Sequence, residues 1–249
     1  MRPQDIEGLF ALGMVALFVA AERMRPLRAT NKKRDFRLDL AGFICIVLFG
    51  KFSRLLLHHW GVEVGDIYQA TLSRVHSGYE ILPSILRVSV AIIITDFILY
   101  WIHRFMHNPK FWRFHIWHHS TEELYWFSGF RASFFHTFLF LTPQVLLIYL
   151  LGLGVYEVLS AMLFGIFIQF WQHTNITFSF GFLDKWLMTP KYHFVHHAVE
   201  EQYRDKNFGT VLVIWDRIFG TYIDPKNVDA GVQLGLKKKK PVWQMIAGV

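Results

Sequence analysis

Long apolar runs separated by short charged stretches dominate the chain. About 20 mostly apolar residues suffice to cross a bilayer as a helix, and several stretches approach that length. The first is 5–23, followed by a basic loop with Arg23, Arg25, Arg28, Lys32, Lys33, Arg34 and Arg37. The run Ile6–Ala21 meets Glu22 and Arg23 directly, so it reads as a retained first membrane helix rather than a cleaved signal peptide. The second candidate, 38–58, is interrupted by Lys51 and Arg54, and the third, 81–103, encloses Arg87 and Asp96. From Phe138 to Trp171 the chain is almost uncharged. As one helix this run would be about 50 Å long, too long for a bilayer. Gly152-Leu153-Gly154 therefore predicts two antiparallel spans, with Glu157 near the turn. The stretch 60–80 carries Gly61, Gly65 and Gly78 and predicts a connection.

The expected fold is all-α: a multi-pass integral membrane bundle of about 4–5 spans with a histidine-rich helical cap. We divide the single membrane domain, 1–249, into N-terminal spans over 5–58, a catalytic region over 81–222 and a basic tail over 223–249. Basic residues stay on the cytoplasmic side of membrane helices. With the 23–37 loop inside, span 3 runs inward and the 138–171 hairpin goes out and returns. The stretches 103–107, 115–119 and 193–197 then fall on the cytoplasmic side, together with Lys237–Lys240.

Composition narrows the chemistry. The 249 residues are 53% hydrophobic and carry a net charge of +7. Beside long apolar runs that charge reads as cytoplasmic loops facing anionic lipid, not as a nucleic-acid surface. The single cysteine, Cys45, excludes an internal disulfide and a cysteine metal cage.

Eight histidines form three clusters: His103 and His107; His115, His118 and His119; His193, His196 and His197. Residues three and four apart share one helix face, so each cluster is expected to aim its imidazoles at one point. Asn108-Pro109 and Thr189-Pro190 precede the second and third clusters, and each pair predicts a helix start. Imidazole is the commonest metal ligand, and eight of them suit two ions. His173, at the end of its span, is a candidate to complete the set. His136 is a further candidate, as a ligand or as a support behind one. His58, His59 and His76 fall on the opposite side of the membrane, about 30 Å away. Asp96 lies two turns before His103 on the same face, and a carboxylate inside a span is costly and usually functional. It is expected to hold a ligand imidazole from behind, or else to pair with Arg87. Asp216 and Arg217 are expected to form a structural polar network.

The spacing H-x3-H, H-x2-H-H, H-x2-H-H resembles that of the fatty acid hydroxylase and sterol desaturase superfamily. Asp96-x3-Tyr100-x2-His103-Arg104, His115-Ile116-Trp117-His118-His119-Ser120, Gln169–Thr174, Asn207-Phe208-Gly209 and Trp215–Thr221 also look similar to its motifs. The resemblance runs from about 90 to 222. It implies a non-haem di-iron oxidoreductase that uses O2 to hydroxylate or desaturate a membrane lipid. It also implies electrons from an external reductase chain, through a cytochrome b5-like or ferredoxin-like donor protein. The location implied is the inner membrane in a bacterium or the endoplasmic reticulum in a eukaryote. A metal-handling or non-catalytic membrane protein with a structural histidine-bound metal is the alternative.

Overall fold

The computed structural model describes residues 3–59, 82–151 and 153–248. The expected connection 60–80, His76 and Gly152 of the expected turn lie outside them. The described residues are all-helical with no strand; isolated bridges join Pro26 to Ile176, Leu187 to Leu212 and Ala198 to Leu234.

Five long helices follow the apolar runs: α1 (Pro3–Met24), α2 (Lys32–His59), α3 (Ser84–Met106), α5 (Phe134–Leu150) and α6 (Val155–His173). Between and after them lie the short helices α4 (Ile116–His119), α7 (Pro190–His196), α8 (Ile214–Ile218) and α9 (Val242–Ala247). Among the described residues α3 is the one helix long and apolar enough to cross a membrane. The hairpin breaks where expected, and the Gly154 amide donates to the Glu157 carboxylate (2.8 Å) to start α6. The basic loop is shorter than expected, because Lys32, Lys33, Arg34 and Arg37 already belong to α2.

Helix α1 packs on α6, α3 on α5 and α6, and α2 on α5 and the Ser128–Phe130 turn. The long helices turn large apolar side chains outward: Leu12 and Leu55 are each 68% exposed and Ile85 is 72% exposed. The polar side chains go inward instead. Asp35, Asp39, Asp96, Arg131, Asp216 and nine of the clustered and neighbouring histidines are buried.

Of two buried carboxylates, Asp96 ties the cap to the bundle and Asp216 ties the cap to itself. Asp96 accepts from Thr210 Oγ1 (2.6 Å), Val211 N (2.8 Å), Leu212 N (3.0 Å) and Trp215 Nε1 (2.8 Å). It reaches no imidazole in these bonds, so the expected Asp96–histidine support is replaced by an anchor for the 210–215 loop. Nor does it pair with Arg87, which meets Glu157 at 2.5 Å. Asp216 accepts from Phe208 N (2.9 Å), Gly209 N (2.8 Å), Thr221 Oγ1 (2.6 Å) and the Tyr192 hydroxyl. Arg217 makes contacts of its own, over the Tyr222 ring at 3.7 Å and from its Nε to Lys185 O (3.1 Å).

Candidate metal centre

The three clusters converge, but not cluster by cluster. One group comprises His103, His107, His115, His119 and His196, and the other His118, His173, His193 and His197. Within each group the ligand atoms lie within 4.8 Å of one another. Each H-x2-H-H is therefore divided. The pair His115 and His119 enters the first group while His118 turns to the second; His193 and His197 enter the second while His196 turns to the first. A helix places positions i and i+4 almost in register, whereas i+3 is rotated to the side, and the two groups use that rotation.

Local structure explains how the helices arrive there. Thr189 caps α7, accepting from Tyr192 N (3.3 Å), with Pro190 in the first turn. The second cluster departs from expectation. Asn108 caps only its own turn, accepting from Lys110 N (3.1 Å), and a 3-10 turn over Trp112–Phe114 precedes the four-residue α4. The aromatic side chains here have separate partners: Phe111 packs against Phe105, Trp112 against His107 and His119, and Phe114 against Phe135. A continuous helix would break that set of contacts.

The Nε2 atoms face one another. Spacings are 3.1 Å for His103–His115, 3.2 Å for His107–His119 and 3.0 Å for His119–His196. In the second group they are 3.2 Å for His118–His173, 3.0 Å for His173–His193 and 3.1 Å for His193–His197. Backbone carbonyls hold several of the opposite nitrogens. His103 Nδ1 donates to Phe208 O (2.9 Å), His196 Nδ1 to Lys206 O (2.7 Å), His118 Nδ1 to Arg131 O (3.1 Å) and His173 Nδ1 to Gln169 O (3.4 Å). A carbonyl only accepts, so these Nδ1 atoms carry the hydrogen and Nε2 offers a lone pair. His118 and His173 thus point two lone pairs at each other, which is repulsive unless a cation lies between them. A metal–nitrogen bond of about 2.1 Å puts ligands at right angles about 3.0 Å apart, and the observed spacings match. The donor set fits a metal in both groups.

His136 belongs to neither group. Its Nδ1 lies 3.0 Å from His115 Nδ1 and its ring stacks on Phe140, the position of a support behind a ligand rather than of a ligand. His58 and His59 end α2 on its exposed side, outside both groups.

The sequence reading noted Asn207 and Phe208 only as part of a motif and missed the role of the loop 205–208, which steadies three imidazoles of the first group. Asp205 Oδ1 lies 2.9 Å from His107 Nδ1, and the carbonyls of Lys206 and Phe208 take His196 and His103. Asp205 and Asn207 adopt left-handed φ of 57° and 58°, a conformation that Asp and Asn tolerate best among residues with a side chain. Two such residues spaced around Lys206 were the available signal.

Gly129 was missed as well. A Cβ there would stand 2.5 Å from His173 Nδ1 and 3.0 Å from Gln169 Nε2. We expect Gly129→Ala to push His173 off its carbonyl and weaken metal at the second group about 10–100-fold, the range for lost ligand supports. Chelator competition on purified protein measures it, and unchanged affinity would contradict the role given to His173.

Burial, and then the neighbouring imidazoles, hold His115, His118, His119, His193, His196 and His197 well below the ordinary imidazole value. His107 is lowered by burial as well, with Asp205 opposing. The sign follows from linkage. Unfolding takes up protons once the pH is under the unfolded value of 6.5. Stability is therefore complete above that value and declines as the pH falls from it toward the lower folded values. Protonation also competes with metal. Between about pH 7 and about pH 5, where imidazole changes charge, melting temperature and bound metal should both fall. A pH-independent melt would contradict neutral imidazoles in the folded state.

The imidazoles close the end of an apolar cavity of about 330 Å³, lined by His103, His115, His118, His136, His173 and His193 among others. A second cavity of about 260 Å³ adjoins it between α3, α5 and α6, sharing Phe140, Leu141, Gln144, Met162, Gly165 and Gln169.

Comparison with known proteins agrees with this geometry. The fatty acid hydroxylase profile matches residues 88–221, more than half of the chain and the span that holds every imidazole of both groups. An ornithine lipid hydroxylase, OlsE of Rhizobium tropici, is 29% identical over 229 residues, 89% of this chain and 69% of that protein. Alkylglycerol monooxygenase of Homo sapiens is 37% identical over 131 residues, 51% of this chain but 28% of its own length. A Delta(7)-sterol 5(6)-desaturase of Aspergillus fumigatus is 28% identical over 152 residues, 57% of this chain and 39% of that protein. The chain thus spans less than two fifths of the latter two relatives. No solved structure matches it. The motifs, the converging imidazoles and the profile match agree that this chain belongs to the fatty acid hydroxylase family.

Proposed function

We propose that the chain is a membrane-embedded lipid hydroxylase or desaturase, an O2-dependent oxidoreductase whose two imidazole groups each hold an iron ion. One observation carries this reading: nine imidazoles form two groups, and five of them, His103, His115, His118, His173 and His193, line the end of an apolar cavity. The relatives' names point the same way, since each acts on a lipid: an ornithine lipid, an alkylglycerol and a sterol. Bound iron would supply the oxidising power toward an unactivated C–H bond that side chains lack. The chain's own residues do the rest. Phe140, Leu141, Met162 and Phe170 give an apolar path for a lipid tail and keep water from the site. The carbonyls of Lys206, Phe208, Arg131 and Gln169 fix ring orientation before any ion arrives.

Outward apolar faces on the long helices support a multi-pass bundle, with the histidine-rich cap on the cytoplasmic side beside the basic residues. The lysine run Lys237–Lys240 lies on that cap, where Lys239 pairs with Glu122 at 3.2 Å. Electrons would come from an external cytochrome b5-like or ferredoxin-like donor.

The test is elemental analysis of purified protein, followed by O2 uptake with a lipid panel and product mass spectrometry. Two irons per chain and a product with one added oxygen, or two hydrogens fewer, support the reading. A single zinc without turnover on any lipid would replace it with a structural metal site.

A further inference from the structure

The joined cavities are not uniformly apolar. Gln144, Gln169, Thr210, Thr137 and Gln172 all line them. The first three are engaged: Gln144 Nε2 donates to Phe140 O (2.9 Å), Gln169 Nε2 to Gly129 O (2.7 Å) and Thr210 Oγ1 to Asp96 (2.6 Å). The other two differ. Gln172 Oε1 and Thr137 Oγ1 are buried with no hydrogen-bond partner among the described residues, and their residues are 9% and 5% exposed. Buried polar atoms are nearly always paired, because an unpaired one loses its water without replacement. Two unpaired oxygens in one apolar cavity are therefore placed to meet a polar group of an occupant. Their place is informative too: Gln172 precedes His173 and Thr137 follows His136, and all four line the same cavity. The unpaired Gln172 atom is an amide oxygen, an acceptor that requires a donor opposite.

We propose that Gln172 and Thr137 select a lipid bearing a hydrogen-bond donor, an amide N–H or a hydroxyl, close to the carbon that reacts. The apolar lobe between α3, α5 and α6 takes the tail, and the donor is read at the imidazole end. This rests on the lipid-oxidising reading above but concerns which lipid is taken. A hydrophobic wall cannot strongly distinguish lipids of similar shape, whereas a buried hydrogen-bonding group rejects the analogue that lacks its partner.

Matched probes test it: a long-chain N-alkyl amide against its N-methyl counterpart, and a long-chain alcohol against its methyl ether. Affinity is measured by native mass spectrometry in micelles, on metal-loaded and metal-stripped protein. The wild type should bind the donor-bearing member of at least one pair about tenfold or more tightly, the scale of one buried hydrogen bond. The amide and alcohol arms report which donor is preferred. Gln172→Leu should bring the preference to about twofold or less, and Thr137→Val should reduce it in part, both with metal content kept. Should Gln172→Leu fail to retain metal, Thr137→Val alone decides. Equal affinities in the wild type, undiminished preference in the metal-retaining variants, or binding of neither member of either pair would overturn the proposal. O2 uptake on the same lipids is a separate measurement, so iron-loaded protein that oxidises both members equally would sink the selectivity and leave the hydroxylase or desaturase reading standing.

Discussion

His196→Ala and His118→Ala should each strip metal from the purified protein and lower lipid oxidation by more than about 100-fold, the upper end of what a lost ligand support costs. The first removes a ring of the five-member group and the second a ring of the four-member group. Each variant also leaves the surviving Nε2 atoms facing one another across a gap. Metal analysis per chain should therefore report a loss in both variants. His59→Ala is the control. His59 is exposed at the end of α2 and belongs to neither group, so metal content and turnover should stay within about twofold, as surface changes do. If all three variants lost activity equally while holding their metal, the imidazole groups would not be the reaction centre.

Arg131→Met should be the most destabilising single change outside the imidazoles. Arg131 is fully buried, its Nε donates to Asp39 Oδ1 (2.7 Å), and it pairs with Asp35 at 3.3 Å. Asp35 and Asp39 are four residues apart on α2 and share the face that meets this guanidinium. Methionine would fill much of the volume and leave two buried carboxylates with no cation. Breaking one side of a buried pair costs about 3–5 kcal/mol. The melting temperature in detergent measures the loss. The carbonyl of Arg131 also holds His118, so metal at the second group should weaken with it. Adding Asp39→Asn should restore part of the melting temperature by removing one of the stranded charges. No recovery in the double variant would show that the damage is steric.

Much of the fold was legible because apolar run length and helix punctuation are local properties. The five long helices fall on the expected runs, and Gly154 and Thr189 start helices as read. The histidine inventory was legible for the same reason. What was not legible depends on residues far apart in sequence. Asp96 faces a loop more than 110 residues away, as its bond to Thr210 shows, so its neighbour one helical face up, His103, was the wrong partner to infer. The start of α4 was misplaced because aromatic contacts from other segments outweigh the Asn-Pro signal. Gly129 and the 205–208 loop act only through close approach to rings brought from elsewhere. The division of each H-x2-H-H rests on the rotation of about 100° between the adjacent positions i+3 and i+4, and which group each one faces is set only by where the other helices stand.

That division bears on how the protein fills. His118 and His119 adjoin in the chain yet serve different basins, and so do His196 and His197; the His119 and His197 rings also stack at 4.5 Å. Under the two-ion reading, the first ion to settle would tie α4 to α7, and that tether would steady part of the neighbouring basin before its own occupant arrives. Occupancy should accordingly rise in pairs during titration, with singly filled molecules scarce.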